Sequence, residues 1–193
     1  MYEYIKGLLT EATPTYVIVE CAGIGYFINT TVNTYSRISA QKEVVLYIHQ
    51  VVREDALLLY GFATPEERTV FRQLISVSGI GANTASVMLS SMTVNEIVGA
   101  IMTENVNAIK SVKGIGLKTA QRVIIELKDK IAVVGTAEEM NFGVSSTVKE
   151  EALAALVMLG FVKNQAGKVL DKIIAGGGEK SVEELIKQAL KQL

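Results

Sequence analysis

The residues with the clearest chemical potential lie in two glycine-centred segments that repeat 35 residues apart. The first segment is Val77–Ala85 (VSGIGANTA) and the second is Val112–Ala120 (VKGIGLKTA). Valine, both glycines, isoleucine, threonine and alanine occupy matching places in the two copies. A repeat of this length indicates one supersecondary unit that the chain uses twice.

Each copy predicts a tight turn between two helices. Helical patterns precede the turns at 71–76 and 106–111, and longer ones follow at 84–89 and 119–127. Glycine adopts positive φ readily and lets other backbones and ligands approach closely, and the isoleucine between the glycines would be buried. The unpaired amides at the start of the following helix would then form a site for an anion such as phosphate.

The candidate phosphate-binding residues are those of the turns and of the helix starts that follow them. They are Gly79, Ile80, Gly81, Asn83 and Thr84 in the first copy, and Gly114, Ile115, Gly116, Lys118, Thr119 and Arg122 in the second. A nucleotide P-loop does not fit, because Leu117 separates the last glycine from Lys118. A dinucleotide fingerprint does not fit either, since no third glycine follows and no strand precedes. Plain helix packing remains the alternative, and the repetition favours phosphate binding.

The two copies resemble the helix-hairpin-helix element in tandem. Proteins that carry this element grip the DNA sugar–phosphate backbone without reading base sequence. The resemblance implies that the two hairpins contact phosphates on both sides of a minor groove.

The composition excludes several classes of site. The 193-residue chain is 49% hydrophobic, but no run approaches the ~20 apolar residues of a membrane span. The start of the chain reads as a strand and lacks a signal-peptide pattern. One cysteine, Cys21, and one histidine, His49, exclude an internal disulfide, a cysteine-based zinc site and a histidine cluster. We therefore expect a cytoplasmic protein with no metal and no cofactor.

The charge is distributed unevenly along the chain. The formal net charge is −1, but residues 65–131 hold eight Lys or Arg against six Asp or Glu. Residues 1–64 and 132–193 each carry a small negative balance. The segment with the hairpins is thus the positive one, and DNA affinity would depend on individual contacts that weaken steeply with salt.

Residues 1–62 read as β-structure without helical periods. Five short runs rich in branched and aromatic residues are separated by turn residues that include 13–15, Ala22-Gly23-Ile24-Gly25 and Asn33-Thr34. The predicted strands are 5–9, 16–21, 26–31, 44–49 and 56–62. Closure removes exposed sheet edges, so the sequence predicts a small barrel, of the oligonucleotide-binding (OB) type first and SH3-like second.

A charged tip, Arg53-Glu54-Asp55, joins two apolar strands of this barrel. A solvated hairpin turn is the simplest interpretation. If the tip faces bound DNA, its two carboxylates would repel phosphates and could hold strands apart or bar ordinary duplex. A metal or acid–base pair is not supported, since adjacent strand residues point to opposite faces.

The remaining sequence predicts helices in two groups. Thr64-Pro65 with Glu67 and Thr93 with Glu96 are helix-start signals in the hairpin domain, which we place at 64–131 after a barrel at 1–63. Residues 132–146 read as a flexible linker. Residues 147–193 predict a three-helix bundle, with starts at Thr147, at Lys163 and at Ser181 and a glycine stop at Gly160. A core of this size is marginal, which suggests an apolar face for a partner.

The order of these parts resembles the RuvA family. The residues that carry the resemblance are 51–56 (VVREDA) with 59–62 (LYGF), the paired hairpins, 126–129 (ELKD), and 151–153 with 159–161. The resemblance covers essentially the whole chain, and the linker is its weakest part.

The resemblance implies a non-catalytic scaffold for four-way DNA junctions. It implies a homotetramer, or a face-to-face octamer, on an open junction, with Glu54 and Asp55 as an acidic pin at the junction centre. It also implies that the C-terminal bundle contacts RuvB, a hexameric ATPase motor, and that the RuvC junction resolvase is a further partner. The predicted partner-binding residues are Leu156, Leu159, Gly160 and Phe161.

Two residues depart from the family pattern. Asn83 and Leu117 stand where basic residues are common, so we hypothesise that affinity depends mainly on the second hairpin through Lys118 and Arg122. Two other functions remain open from the residues alone. One is a helix-hairpin-helix glycosylase or nuclease, and the other is an interaction module in which the hairpins only pack helices.

Overall fold

A computed structural model describes residues 2–135, 148–175 and 180–193 of the chain. The chain divides into two compact units, Met1–Met140 and Asn141–Leu193. The first unit contains a β-barrel and the hairpin helices, and the second contains a small helical bundle.

Five strands and one short helix form the barrel. The elements are β1 (Tyr4–Ala12), β2 (Tyr16–Cys21), β3 (Ile24–Asn29), α1 (Val32–Ile38), β4 (Glu43–Val52) and β5 (Leu57–Phe62). The strands close in the order β1-β2-β3-β5-β4, with β3 and β5 parallel and the other pairs antiparallel. Alternating residues of β4 point inward, and Leu46 and Ile48 are fully buried there. The predicted OB-type barrel is confirmed.

The prediction that residues 1–62 hold no helix is wrong. Asn33 and Thr34, predicted to be turn residues, lie in α1. Thr31 is the N-cap, and its side chain accepts a hydrogen bond from the Thr34 amide at 3.1 Å. With seven residues and only Thr34 and Ile38 buried, α1 is too short to show a helical period.

The β2–β3 hairpin turns at the first two residues of the predicted turn segment 22–25. Ala22 and Gly23 both have positive φ, 51° and 81°, as a two-residue type I′ turn requires. Ile24 and Gly25 already belong to β3, where Ile24 pairs with Cys21.

Five helices follow the barrel in the first unit. They are α2 (Pro65–Ile75), α3 (Ala82–Ser91), α4 (Val94–Met102), α5 (Val106–Lys110) and α6 (Leu117–Gly135). The predicted capping box of Thr93 and Glu96 is present. Thr64 caps α2 as predicted and accepts a hydrogen bond from the Glu67 amide, but the Glu67 carboxylate bonds elsewhere, so the predicted capping box is not formed.

Two side chains of α2, the Glu67 carboxylate and the Arg68 guanidinium, join the helices to the barrel. Glu67 is buried and accepts hydrogen bonds from the Thr34 hydroxyl at 2.8 Å and the Ala63 amide at 3.0 Å. Arg68 donates to the Glu3 carbonyl at 2.7 Å and forms an ion pair with the Glu3 carboxylate. These polar bonds, made by the buried side chains of Glu67 and Arg68, fix the hairpin helices to the barrel wall.

The linker prediction is wrong at its start. Helix α6 continues to Gly135, so residues 132–135 are helical. No glycine or proline interrupts 119–134, and nothing in this run ends a helix before Gly135. Residues 136–146 of the predicted linker lie outside the described residues.

The second unit is a bundle of α7 (Val148–Met158), α8 (Lys163–Ala175) and α9 (Val182–Ala189). Gly160, with φ of +98°, ends α7, and the Phe161 amide bonds to the Leu156 carbonyl at 3.1 Å. The predicted capping box of Ser181 and Glu184 is present. The predicted cap Thr147 and the triple glycine at 176–178 lie outside the described residues.

Among the described helices, none alone has the length and apolar composition to cross a membrane. The pair α3 and α4 meets that test together, with a bend of 100° between them.

Candidate nucleic-acid interface

The two repeated segments form turns of the same shape. The first turn joins α2 to α3 and the second joins α5 to α6. Gly79 and Gly114 have φ of +96° and +91°, a region that glycine alone adopts easily. The amides of Ile80 and Ile115 bond to the carbonyls three residues earlier at 3.0 and 3.1 Å. The predicted repeated turn is confirmed.

The isoleucines anchor the turns from inside. Ile80 and Ile115 are each 5% exposed, and the valines before them, Val77 and Val112, are also buried. The side chains of these residues pack into the helical core. Only the backbone of the two isoleucines is therefore available to a ligand.

The helix after each turn begins with open amides. Gly81 is the N-cap of α3 and supplies no side-chain hydrogen bond, whereas Thr64, Thr93 and Asn105 cap α2, α4 and α5. Gly116 precedes α6 and has no side chain to supply one. The first backbone bonds run from Ala85 and Ala120, so the amides of 82–84 and 117–119 precede the helical ladder. An anion can accept hydrogen bonds from these amides.

The two hairpins lie side by side. Arg122 of α6 donates a hydrogen bond to the Ser78 carbonyl in the first turn at 3.1 Å. A Cβ on Gly79 would lie 3.7 Å from the Thr119 side chain. The structure thus brings Thr119 and Arg122 of the second predicted site next to the turn at Gly79 in the first.

The second hairpin carries the cations of this interface. Lys113 and Lys118 are exposed, and Arg122 is half exposed with Glu126 at 3.8 Å. The first hairpin and its helix, 76–91, contain no lysine or arginine. Lys113 was missing from the predicted site, although its place beside Gly114 in the repeat was a signal for it.

Asn83 stands at the place in α3 that Lys118 occupies in α6. It is exposed, and its Oδ1 accepts a hydrogen bond from the Tyr60 hydroxyl at 3.1 Å. Thr84, next to it, is half-buried. Tyr60 was not predicted, because it lies on β5 and only the folded barrel brings it to the hairpin.

The acidic residues form the tip of the β4–β5 hairpin. Glu54 and Asp55 are both exposed. The turn that carries them is closed by a hydrogen bond from the Arg53 amide to the Ala56 carbonyl at 2.8 Å. Val52 and Leu57 pair across the strands below the tip, and each is 69% exposed. Within the described parts of the chain, no three His, Cys, Asp or Glu residues cluster as a metal site would require.

The predicted partner-binding residues divide between core and surface. Leu156 is fully buried among the three helices, so its side chain is not exposed to a partner in this structure. Leu159 is 60% exposed, Gly160 is exposed and Phe161 packs partly against the core. Met158 and Val162, at 89% and 66% exposure, extend this apolar surface and were not predicted.

Three family models match the chain. RuvA N terminal domain matches residues 1–61, SAM-like Helix-hairpin-helix tandem matches 71–129, and RuvA, C-terminal domain matches 147–193. Between them they match every predicted part except the linker.

Curated relatives match over the full length of both chains. A protein of Christiangramia forsetii is 52% identical over 193 residues, and one of Bacteroides fragilis is 48% identical over 201 residues. One of Flavobacterium psychrophilum is 46% identical over 193 residues. Each is named "Holliday junction branch migration complex subunit RuvA". With this identity over its whole length, the chain belongs to the RuvA family.

Proposed function

We propose that this protein binds four-way DNA junctions and serves as the non-catalytic DNA-binding subunit of a branch-migration complex. The single observation that carries the proposal is the pair of open helix starts on adjacent hairpins, linked by Arg122 and Ser78. The names of the full-length relatives support the same function. An enzyme that cuts DNA or removes bases is not favoured.

The hairpins bind the arms of the junction through phosphates. The backbone amides around Gly79, Gly81, Gly114 and Gly116 donate to phosphate oxygens, and Lys118 adds a charge-assisted bond. Such contacts position the protein without reading bases, which suits a substrate defined by shape.

The acidic pin gives selectivity against linear duplex. Glu54 and Asp55 lie at the end of the β4–β5 hairpin and carry two negative charges at its tip. Phosphates of a continuous duplex would be repelled there, whereas an open four-way junction leaves a gap at its centre.

Family membership supports the assembly that we propose. Several copies, as a tetramer or octamer, surround one junction, and the C-terminal bundle recruits the RuvB ATPase, with RuvC as a further partner. The chain itself has no P-loop, so the motor supplies ATP hydrolysis. We propose that the protein acts in the cytoplasm.

The domain boundaries we propose are a barrel at 1–63, the hairpin domain at 64–131 and the bundle at 147–193. In the connecting segment, α6 occupies 132–135. The bundle docks the motor through the apolar surface of Leu159, Gly160 and Phe161.

A gel-shift titration tests the function. An immobile four-way junction and a linear duplex of the same sequence are titrated with protein across a salt series, with Mg²⁺ present. We expect discrete junction complexes, far weaker duplex binding and no cleavage. Equal affinity for both DNAs would reduce the protein to a general backbone binder, and cleavage would restore the enzyme alternative.

A further inference from the structure

One hydrogen bond connects the barrel to the first hairpin at its DNA-facing helix start. The Tyr60 hydroxyl, on β5, donates to Asn83 Oδ1 at 3.1 Å. Tyr60 is 4% exposed, and its ring packs on Phe71 with centroids 5.2 Å apart. A rigid aromatic side chain therefore holds a surface amide at the start of α3.

The bond determines which half of the amide is free. A phenol donates to the amide oxygen, so the Nδ2 group of Asn83 is turned away from Tyr60. Burial raises the pKa of Tyr60, against a smaller opposing effect of Arg53, so the phenol stays protonated at neutral pH. The exposed amide then offers donors beside the unpaired backbone N–H groups of 82–84.

We propose that Tyr60 is a positioning residue that orients the Asn83 side-chain amide so that its Nδ2 donates to a DNA phosphate at the first hairpin. This inference rests on the proposed function, since it assumes that the hairpin binds phosphate. It also assigns the first hairpin a neutral, oriented donor where the second hairpin has the Lys118 ammonium.

The repeat explains why only one hairpin needs such a partner. An ammonium has three donors and no acceptor, so Lys118 presents a donor in any rotamer. An amide presents either a donor or an acceptor, and an acceptor facing a phosphate would repel it. Asn83 therefore depends on its orientation, and Tyr60 supplies it.

The same bond links the hairpin to the acidic tip. Tyr60 is the fourth residue of β5, which begins at Leu57, two residues after Asp55. Strand β5 therefore leads from the acidic tip to Tyr60, and the Tyr60–Asn83 hydrogen bond connects this strand to α3 of the first hairpin.

A double-mutant cycle tests the inference on the full-length protein. Junction Kd is measured for the wild type, Tyr60→Phe, Asn83→Ala and the double variant, with thermal unfolding of each. We expect each single variant to weaken binding by about threefold, which is typical for one hydrogen bond, and the double variant to match Asn83→Ala. Tyr26→Phe, which removes the hydroxyl of a half-buried tyrosine on β3, is the control and should bind like the wild type.

Two further variants separate orientation from simple stability. Asn83→Asp keeps an acceptor for Tyr60 but turns a charged oxygen outward, so it should bind more weakly than Asn83→Ala. In Asn83→Lys, binding should no longer depend on Tyr60, and adding Tyr60→Phe should leave Kd unchanged.

The outcomes distinguish the inference from the proposed function. Additive losses in the cycle, or a loss from Tyr60→Phe that persists in Asn83→Lys, would overturn the positioning role while junction binding stands. A wild-type protein that does not prefer the junction would overturn the proposed function and this inference with it.

Discussion

The first and second hairpins follow the same backbone path but present different side chains to a ligand. Both have a positive-φ glycine, a buried isoleucine and a helix that begins directly after a second glycine. The first adds Ser78 and Asn83, whereas the second adds Lys113 and Lys118 at the matching places. A few apolar and glycine positions thus specify the turn, and the exposed positions remain free to change the strength of binding.

Arg122 complicates this contrast. It belongs to the second hairpin by sequence, yet it donates to the Ser78 carbonyl of the first. Its guanidinium has five donors, so this bond leaves others for a phosphate. The first hairpin, which has no lysine or arginine in 76–91, therefore lies next to the Arg122 guanidinium of the second.

Replacing Gly114, the positive-φ glycine of the second turn, should have the largest effect on stability and junction affinity. Gly114→Ala places a Cβ in the left-handed region and should reduce stability by about 1–2 kcal/mol. Because the turn must shift, junction affinity should fall by more than about tenfold at the hairpin that carries the cations. Urea unfolding and junction titration measure the two effects.

Gly99→Ala is the matched control for that change. Gly99 lies inside α4, and a Cβ there meets nothing within 4 Å. This variant should be as stable as the wild type or more stable, with unchanged binding. If Gly114→Ala is equally harmless, the positive-φ turn is not required.

The next largest effect should come from the matched pair Lys118 and Asn83. Lys118→Ala removes a charge-assisted bond and should weaken junction binding by about tenfold, against about threefold for Asn83→Ala. The slope of log K against log salt should fall by about 0.9 for the lysine and stay unchanged for the asparagine. Equal losses in affinity would contradict a dominant second hairpin.

Removing the acidic charges should change selectivity more than affinity. The double variant Glu54→Gln with Asp55→Asn should bind linear duplex about threefold more tightly, because repulsion of phosphates is lost. The ratio of junction to duplex affinity should therefore fall. Glu20→Gln, an exposed carboxylate on β2, is the control. A duplex affinity that does not change would remove the proposed role of the pin.

The smallest effect on junction affinity should come from adding a side-chain N-cap to α3. Gly81→Ser gives α3 its own N-cap and should raise stability by a few tenths of a kcal/mol, about the usual difference between glycine and serine there. Its hydroxyl then competes with phosphate for the amide of Thr84, and junction affinity should fall by about twofold. Tighter binding by this variant would argue against amide–phosphate contacts.

Sequence reasoning found what depends on local pattern. The repeat predicted both turns, and the short runs of branched and aromatic residues predicted the strands of a barrel whose closure the structure confirms. It failed for α1, which is too short to show a period, and for the end of α6, where apolar residues continue the helix to Gly135.

The features it could not predict depend on tertiary contacts. Tyr60 reaches Asn83 across 23 residues, and Arg122 reaches Ser78 across 44. Leu156 was predicted to bind a partner, and helix periodicity alone does not show that the other two helices cover it. Such pairings become visible only when the elements are packed.

A hydroxyl-radical footprint of the protein on an immobile four-way junction tests the central claim most directly. Two hairpins that grip the backbone on both sides of a minor groove predict two protected sugar patches on each arm near the crossover. Lys118→Ala should weaken one patch strongly, and Asn83→Ala should weaken the other slightly. A single patch per arm, or two patches that fade equally in both variants, would contradict two hairpins of the same shape and different strength.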